Sequence, residues 1–173
     1  MLNGLDVVVF INFFIKYYIP PMIANAMPVL ISKGRPIDFG KKFIDGKRLL
    51  GDGKTWEGLV TGLLGGSLAS IVVSTYLRQS SFIPISVLAS FMALIGDILE
   101  SFIKRRLGIK RGEPLPILDQ LDFAIAATLT YAILGYMKEV ALDYIIMALL
   151  IILIMHLTTN VIAYLMKLKD RPW

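Results

Sequence analysis

The sequence contains no cysteine, one histidine, four asparagines and two glutamines in 173 residues. The absence of cysteine excludes disulfides and thiol chemistry and leaves the compartment open. A single histidine, His156, does not make a ligand set, and it reads as a hydrogen-bonded packing residue. Scarce amides are a trait of heat-adapted proteins, although a membrane composition produces the same scarcity. Basic residues are missing before Lys16, and Asp6 is acidic. The first apolar stretch therefore lacks the basic start of a signal peptide, despite Ala24-Asn25-Ala26, which has the form of a cleavage site. It is expected to remain as a span.

Apolar residues are what the chain has in excess: 56% of it is hydrophobic, with a mean hydropathy of +0.70. About 20 apolar residues cross a bilayer core about 30 Å thick. Five stretches qualify, at about 5–31, 59–77, 82–102, 118–137 and 142–166. They nearly exhaust the chain. The expectation is an all-α integral membrane protein with five transmembrane helices and a single domain over 1–173.

The cations choose its orientation. Lys33, Arg35, Lys41, Lys42, Lys47, Arg48 and Lys54 lie between spans one and two, and Lys104, Arg105, Arg106, Lys110 and Arg111 between spans three and four. Lys167, Lys169 and Arg171 follow the last span, whereas the opposite loops hold only Arg78 and Lys138. By the positive-inside rule the N-terminus is outside and the C-terminus cytoplasmic, with cytoplasmic loops at about 32–58 and 103–117. Some of these cations only orient the chain and touch headgroups.

Others are threaded among glycines and carboxylates. Pro20, Pro21 and Pro28 imply that span one is not one regular helix, so Asn25 sits beside a break, in a packing kink or a cavity wall. Asp45-Gly46-Lys47 and Asp52-Gly53-Lys54 recur seven residues apart in the first cytoplasmic loop. Glycines let backbone amides approach anions and lysines add charge, which suits a polyphosphate. Gly53-Lys54-Thr55 is not a P-loop, because Arg48 stands where that motif needs glycine and no strand precedes it. Gly58, Gly62 and Gly66 recur at four-residue spacing, the pattern of close helix packing within the chain or between copies, so a homodimer through span two is one possibility.

Span three ends with Asp97, Glu100, Ser101 and Lys104 on one face. Asp97 lies about 10 Å deeper than Lys104 along the helix, where a carboxylate is costly unless it meets a cation or a polar cavity. Asp119 and Asp122 open span four, where acidic residues serve as caps. The pair also faces one way, and with Asp97 it can share a hard cation such as Mg²⁺ with substrate phosphates. In span five, Asn160 is a further candidate for the cavity wall.

Ser101-x-Ile103-Lys104-Arg105-x4-Lys110 followed by Asp119-x-x-Asp122 resembles the signature of the phosphatidate cytidylyltransferases. Arg111 stands where that family has Asp, and Leu115-Pro116-Ile117-Leu118 replaces a His-Gly-Gly segment. With the five short spans and the Arg48–Trp56 loop, these departures are similar to the archaeal branch, the CDP-archaeol synthases. The resemblance implies transfer of CMP from CTP to a lipid phosphate with isoprenoid ether tails, with Mg²⁺ as cofactor and pyrophosphate as product. It implies a multi-pass protein of the cell membrane, active on its cytoplasmic side, with no nucleic-acid partner. On that basis Asp97, Asp119, Asp122 and Lys104 are the candidate catalytic residues, with the three aspartates as metal ligands. Arg48, Gly51, Gly53, Lys54, Thr55, Ser101, Arg105 and Lys110 are the candidate CTP and phosphate contacts. Two alternatives are a synthase acting on ester lipid and a small transporter or channel. Polar residues clustered on one side rather than at the midplane disfavour the transporter. A CDP-alcohol phosphotransferase is excluded, since Leu49-Leu50 stand where its motif needs Ala-Arg.

Overall fold

The computed structural model describes residues 6–31, 33–110 and 112–167. Leu5, Arg111, Lys169 and Arg171, named above as a span start and as flanking cations, lie outside the described residues. Five helices follow one another: α1 (Val7–Ala26), α2 (Trp56–Tyr76), α3 (Ile83–Arg106), α4 (Leu118–Ile133) and α5 (Leu142–Leu165). Short 3-10 turns at Met27–Leu30 and Ser80–Phe82 extend α1 and precede α3. Four stretches, Val7–Leu30, Trp56–Tyr76, Ser80–Arg106 and Leu142–Ile162, are long and apolar enough to cross a membrane. The described residues form no strand, only two isolated antiparallel bridges, Pro36 with Thr55 and Lys42 with Arg48.

The ends of the helices are set by local chemistry. Asp6 caps α1 by accepting from the Val8 and Val9 amides at 2.9 and 3.3 Å. Thr55 caps α2 through the Gly58 amide at 3.1 Å, which starts that helix three residues before the expected span. Helix α3 runs four residues beyond its expected end. Lys104, Arg105 and Arg106 sit well at its negative dipole end. Gly108, at φ +77°, stops it with the Ile109 amide on the Lys104 carbonyl, a Schellman closure. Gly135, at φ +83°, ends α4 in the same way, with the Tyr136 amide on the Tyr131 carbonyl. The expected span 118–137 therefore appears as a helix of 16 residues, about 24 Å long at 1.5 Å per residue.

Two expectations change. Helix α1 continues through Pro20 and Pro21, both buried, and gives way only at Met27–Leu30 with Pro28 near the start of the turn. The missing proline N–H groups strand carbonyls one turn back, and close packing by neighbouring helices holds such a segment together. The glycine ladder of α2 faces inward. Gly58, Gly62 and Gly66 are buried within the chain, and a Cβ at Gly62 would lie 2.8 Å from the Ala24 carbonyl oxygen of α1. At Gly66 it would lie 2.8 Å from both Ala24 Cβ and Ser90 Cβ of α3. The face offered above to a second copy is thus used by α1 and α3.

An aromatic cluster closes the opposite end. Tyr17 meets Tyr131 edge-on at 4.9 Å between ring centroids, and Phe82 stacks on Tyr131 at 5.6 Å. Phe13 stacks on Tyr144 of α5 at 5.8 Å. Helix α4 lies against α3, where Gly96 permits the closest approach: a Cβ there would meet the Asp122 carbonyl oxygen at 2.8 Å and Ala126 Cβ at 2.6 Å. Gly96→Ala should push α4 away, costing about 1–3 kcal/mol by overpacking. A lowered thermal midpoint in detergent, with the helical circular dichroism kept, is the expected result.

Candidate active site

The site is built where the end of α3, the start of α4 and the loop 33–55 meet. Asp97 and Glu100 are one turn apart on α3, and Asp122 faces them from α4. One oxygen from each of these three carboxylates lies within 4.8 Å of the other two. Glu100 and Asp122 are buried, at 6% and 7% exposure. The loop supplies Lys54, whose Nζ donates to Asp97 Oδ2 at 2.6 Å. Lys104 donates to Asp119 Oδ2 at 2.8 Å and lies 3.3 Å from Glu100 Oε1. Two lysines thus offset four carboxylates.

Asp119 and Asp122 do not cap α4. The cap position is Ile117, at φ +71°, a costly backbone conformation for a β-branched residue. Asp119 turns back instead, accepting from the Leu115 amide at 3.1 Å and from Lys104. The carboxylate brought beside Asp97 and Asp122 is therefore Glu100, and Asp119 lies against Glu100, both of them meeting Lys104. The Asp97-x-x-Glu100 spacing already put Glu100 on the right face. What the spacing lacked was the turn at Ile117.

A cavity of about 910 Å³ opens along this wall. Gly51, Gly53, Lys54, Ser101, Lys104 and Arg105 line it together with the four carboxylates. Asn25 of α1 and His156 and Asn160 of α5 also line it, beside the apolar Met22, Pro28, Ile152 and Met155. His156 and Asn160 lie 3.4 Å apart there. Sequence reasoning missed Gln120 and Asp52 as lining residues. Several polar atoms have no hydrogen-bond partner among the described residues though they are buried, among them Arg105 Nε, Asp119 Oδ1 and Gln120 Oε1. Unsatisfied polar atoms at a cavity wall suit a polar ligand.

Three candidates lie elsewhere. Lys110 is exposed on the loop after α3, where its amide bonds Glu113. Thr55 caps α2 and lines a smaller adjoining pocket with Lys54 and Asp97. Arg48 does not reach the cavity. Its guanidinium bonds Asp38 at 2.9 Å and Asp52 at 2.8 Å, because the Asp38 side chain is fully buried and needs a counter-ion.

Asp38 organises the loop. Its carboxylate also accepts from the amides of Leu50, Gly51 and Gly40, each at 3.0 Å. Gly51, at φ +101°, takes a backbone turn that a side chain would strain. Burial works to raise the Asp38 pKa, but the Arg48 hydrogen bonds and those three amides outweigh it and hold the carboxyl well below the usual range. The same bonds, chiefly those to Asp38, raise the Arg48 pKa.

A multi-pass helical membrane protein with carboxylates, lysines and backbone amides gathered at one end of a cavity belongs to the class that handles charged phosphate groups at a membrane. Comparison with known proteins narrows the class. Residues 7–173 match the CarS-like family, described as CDP-archaeol synthase. A CDP-archaeol synthase of Staphylothermus marinus is 52% identical over 165 residues, covering 95% of this chain and 94% of that protein. One of Sulfolobus acidocaldarius is 40% identical over 157 residues, 91% and 94% of the two chains. A solved structure of an intramembrane enzyme for archaeal membrane lipids biosynthesis superposes with a TM-score of 0.79 at 42% identity, covering 84% of this chain and 91% of that one. This chain belongs to the CDP-archaeol synthase family.

Asp38→Asn should free the loop, since Arg48 keeps only Asp52 as a counter-ion and the Leu50 and Gly51 amides lose a charged acceptor, at a cost of about 1–3 kcal/mol, read as faster tryptic cleavage at Lys41, Lys42 and Lys47. In the unsubstituted protein the Asp38 pKa is depressed on folding. Its contribution is therefore complete above the unfolded carboxylate value of about 3.9 and is lost as pH falls through the lower folded value. Amide exchange at Leu50 and Gly51, corrected for intrinsic rate, should stay slow down to about pH 4 and quicken only below it.

Proposed function

We propose that this protein transfers CMP from CTP to the phosphate of unsaturated archaetidic acid, a glycerol phosphate carrying two isoprenoid ether tails. The products are CDP-archaeol and pyrophosphate. The observation that carries this reading is the carboxylate trio set between Lys54 and Lys104 on the wall of a cavity of about 910 Å³. It sits in a chain that matches the CDP-archaeol synthase family along residues 7–173. The positive-inside rule supports a cytoplasmic site and an outside N-terminus. In this reading α4 is the fifth crossing, short because Gly135 ends it early.

The chemistry requires alignment more than acid–base catalysis. A lipid phosphate oxygen, already anionic at neutral pH, bonds to the α-phosphorus of CTP. The bond from that phosphorus to the β-phosphate oxygen breaks, and pyrophosphate leaves with the electron pair. No proton has to move. The obstacle is repulsion between two polyanions, and donors fixed in advance at the wall reduce it without reorganising. Lys54, Lys104 and Arg105 hold phosphate oxygens, while the Gly51 and Gly53 backbone permits close approach. The apolar Met22, Ile152 and Met155 accommodate the hydrocarbon.

The donor set fits a divalent cation. Asp97, Glu100 and Asp122 offer three carboxylate oxygens in mutual reach, which is the hard-ligand pattern that Mg²⁺ takes together with substrate phosphates. Mg²⁺ held there would neutralise charge on the phosphates. Asp119 then serves to orient Lys104, a change from the set of Asp97, Asp119 and Asp122 expected from spacing.

Labelled CTP, offered with ether and with ester glycerol phosphates, tests the activity. Label should enter the ether lipid, and an enzyme that labels only the ester lipid contradicts the substrate assignment. Asp122→Asn should insert and fold yet lose at least about 100-fold in turnover, the scale of removing a site electrostatic group. Glu100→Gln should fall with it; full activity in Glu100→Gln would return the third ligand role to Asp119. Without divalent cation, Lys54→Met should melt below the unsubstituted protein, since Asp97 loses its counter-ion. Millimolar Mg²⁺ should then raise its melting temperature more than that of the unsubstituted protein. Equal shifts would count against a cation at these carboxylates.

A further inference from the structure

Arg106 follows Lys104 and Arg105 on the last turn of α3 but does not line the cavity. Its guanidinium lies 4.9 Å from the centre of the Phe43 ring and 4.7 Å from that of Phe102, two rings that meet edge-on. Nε pairs with Asp45 at 3.1 Å, and Nη2 donates to the Arg48 carbonyl. The backbone carbonyl of Arg106 accepts from Lys47 Nζ at 2.8 Å. Four residues of the loop, Phe43, Asp45, Lys47 and Arg48, therefore converge on one residue of α3. A cation that only set topology or met headgroups would keep its charge in solvent, whereas the Arg106 side chain is 19% exposed, pairs with Asp45 and donates through Nη2 to the Arg48 carbonyl.

The attachment leads to the cavity wall. Arg106 holds the Arg48 backbone, and the Arg48 side chain grips Asp38 and Asp52. Asp38 fixes the Leu50 and Gly51 amides, and Gly51, Asp52, Gly53 and Lys54 line the cavity. The loop has a second tie to α3, between Lys54 and Asp97. In the function proposed above, phosphate competes for Lys54, so that tie is weakened by substrate. The tie at Arg106 is not.

Resting on that function, we propose that Arg106 is a positioning residue for the nucleotide: it anchors the loop to α3, so that the Gly51–Lys54 wall stays in place when Lys54 turns to phosphate. Arginine is required because one group must lie against two rings while it pairs with a carboxylate and donates to a carbonyl. Lysine cannot do both.

The test measures CTP and lipid kinetics of the full-length protein in liposomes for Arg106→Lys and Arg106→Met. Phe43→Leu, which loosens the clamp but keeps every charge, covers the case in which the Arg106 variants fold poorly. Arg106→Lys should raise KM for CTP about tenfold, the scale of losing an outer-shell support, with kcat within about twofold and the lipid KM unchanged. Phe43→Leu should shift KM for CTP in the same direction by less. Tryptic cleavage at Lys41 and Lys42 should quicken in step with KM. Variants whose loop is cut faster while KM for CTP stays at the unsubstituted value would overturn the proposal, as would a fall in kcat alone. Both results leave the cytidylyltransferase reading intact. Unsubstituted protein that consumes no CTP would overturn that reading, and this proposal with it.

Discussion

Three carboxylates held within 4.8 Å of one another would repel by roughly 3 kcal/mol per pair if all were ionised, at an effective dielectric near 20. The organisation at this end of the bundle follows from the need to offset that charge. Lys104 does so from within α3. Lys54 does so from a loop that must be brought across α3 to deliver it. A loop that supplies a counter-ion cannot be slack, and this one is held by a buried carboxylate at its centre and an arginine clamp at its edge. The same lysines that offset these carboxylates are the groups that phosphate would call on.

The cations consequently divide into three kinds. Lys54, Lys104 and Arg105 reach the cavity. Arg48 and Arg106 are internal ties whose charge is consumed by Asp38, Asp52 and Asp45. Lys110 is exposed on the loop after α3 and does not reach the cavity. A net charge of +5 says nothing of this division, because it depends on which carboxylate each cation meets.

The rest of the bundle keeps the site rigid at one end by being closely packed at the other. Small residues bring α1, α2 and α3 close together, and aromatic contacts tie α1, α4, α5 and the turn before α3 to one another. Gly96 matters most to chemistry, since the backbone of Asp122 rests where its side chain would be. The carboxylate separation is therefore a packing distance between two helices.

Much was legible in the sequence, for physical reasons. Apolar runs must be helices in a bilayer, because no water is there to satisfy the backbone. Residues three or four apart share a face, which placed Asp97, Glu100, Ser101 and Lys104 together. Helix ends were less legible: Gly135 cut α4 short, and buried packing carried α1 through two prolines. Periodicity is blind to partners across the fold. It could put Asp119 and Asp122 on one stretch of helix, but only the turn at Ile117 and the approach at Gly96 sent Asp119 to Lys104 and left Glu100 beside Asp97 and Asp122. It could show Arg48 among glycines, but only the buried Asp38 carboxylate explains why that arginine serves the loop and not the cavity. The sequence by itself determined the long apolar helices and which charged residues share a helix face. Which carboxylate faces which cation was decided by tertiary contacts alone, because charge pairing depends on distance in space and not along the chain.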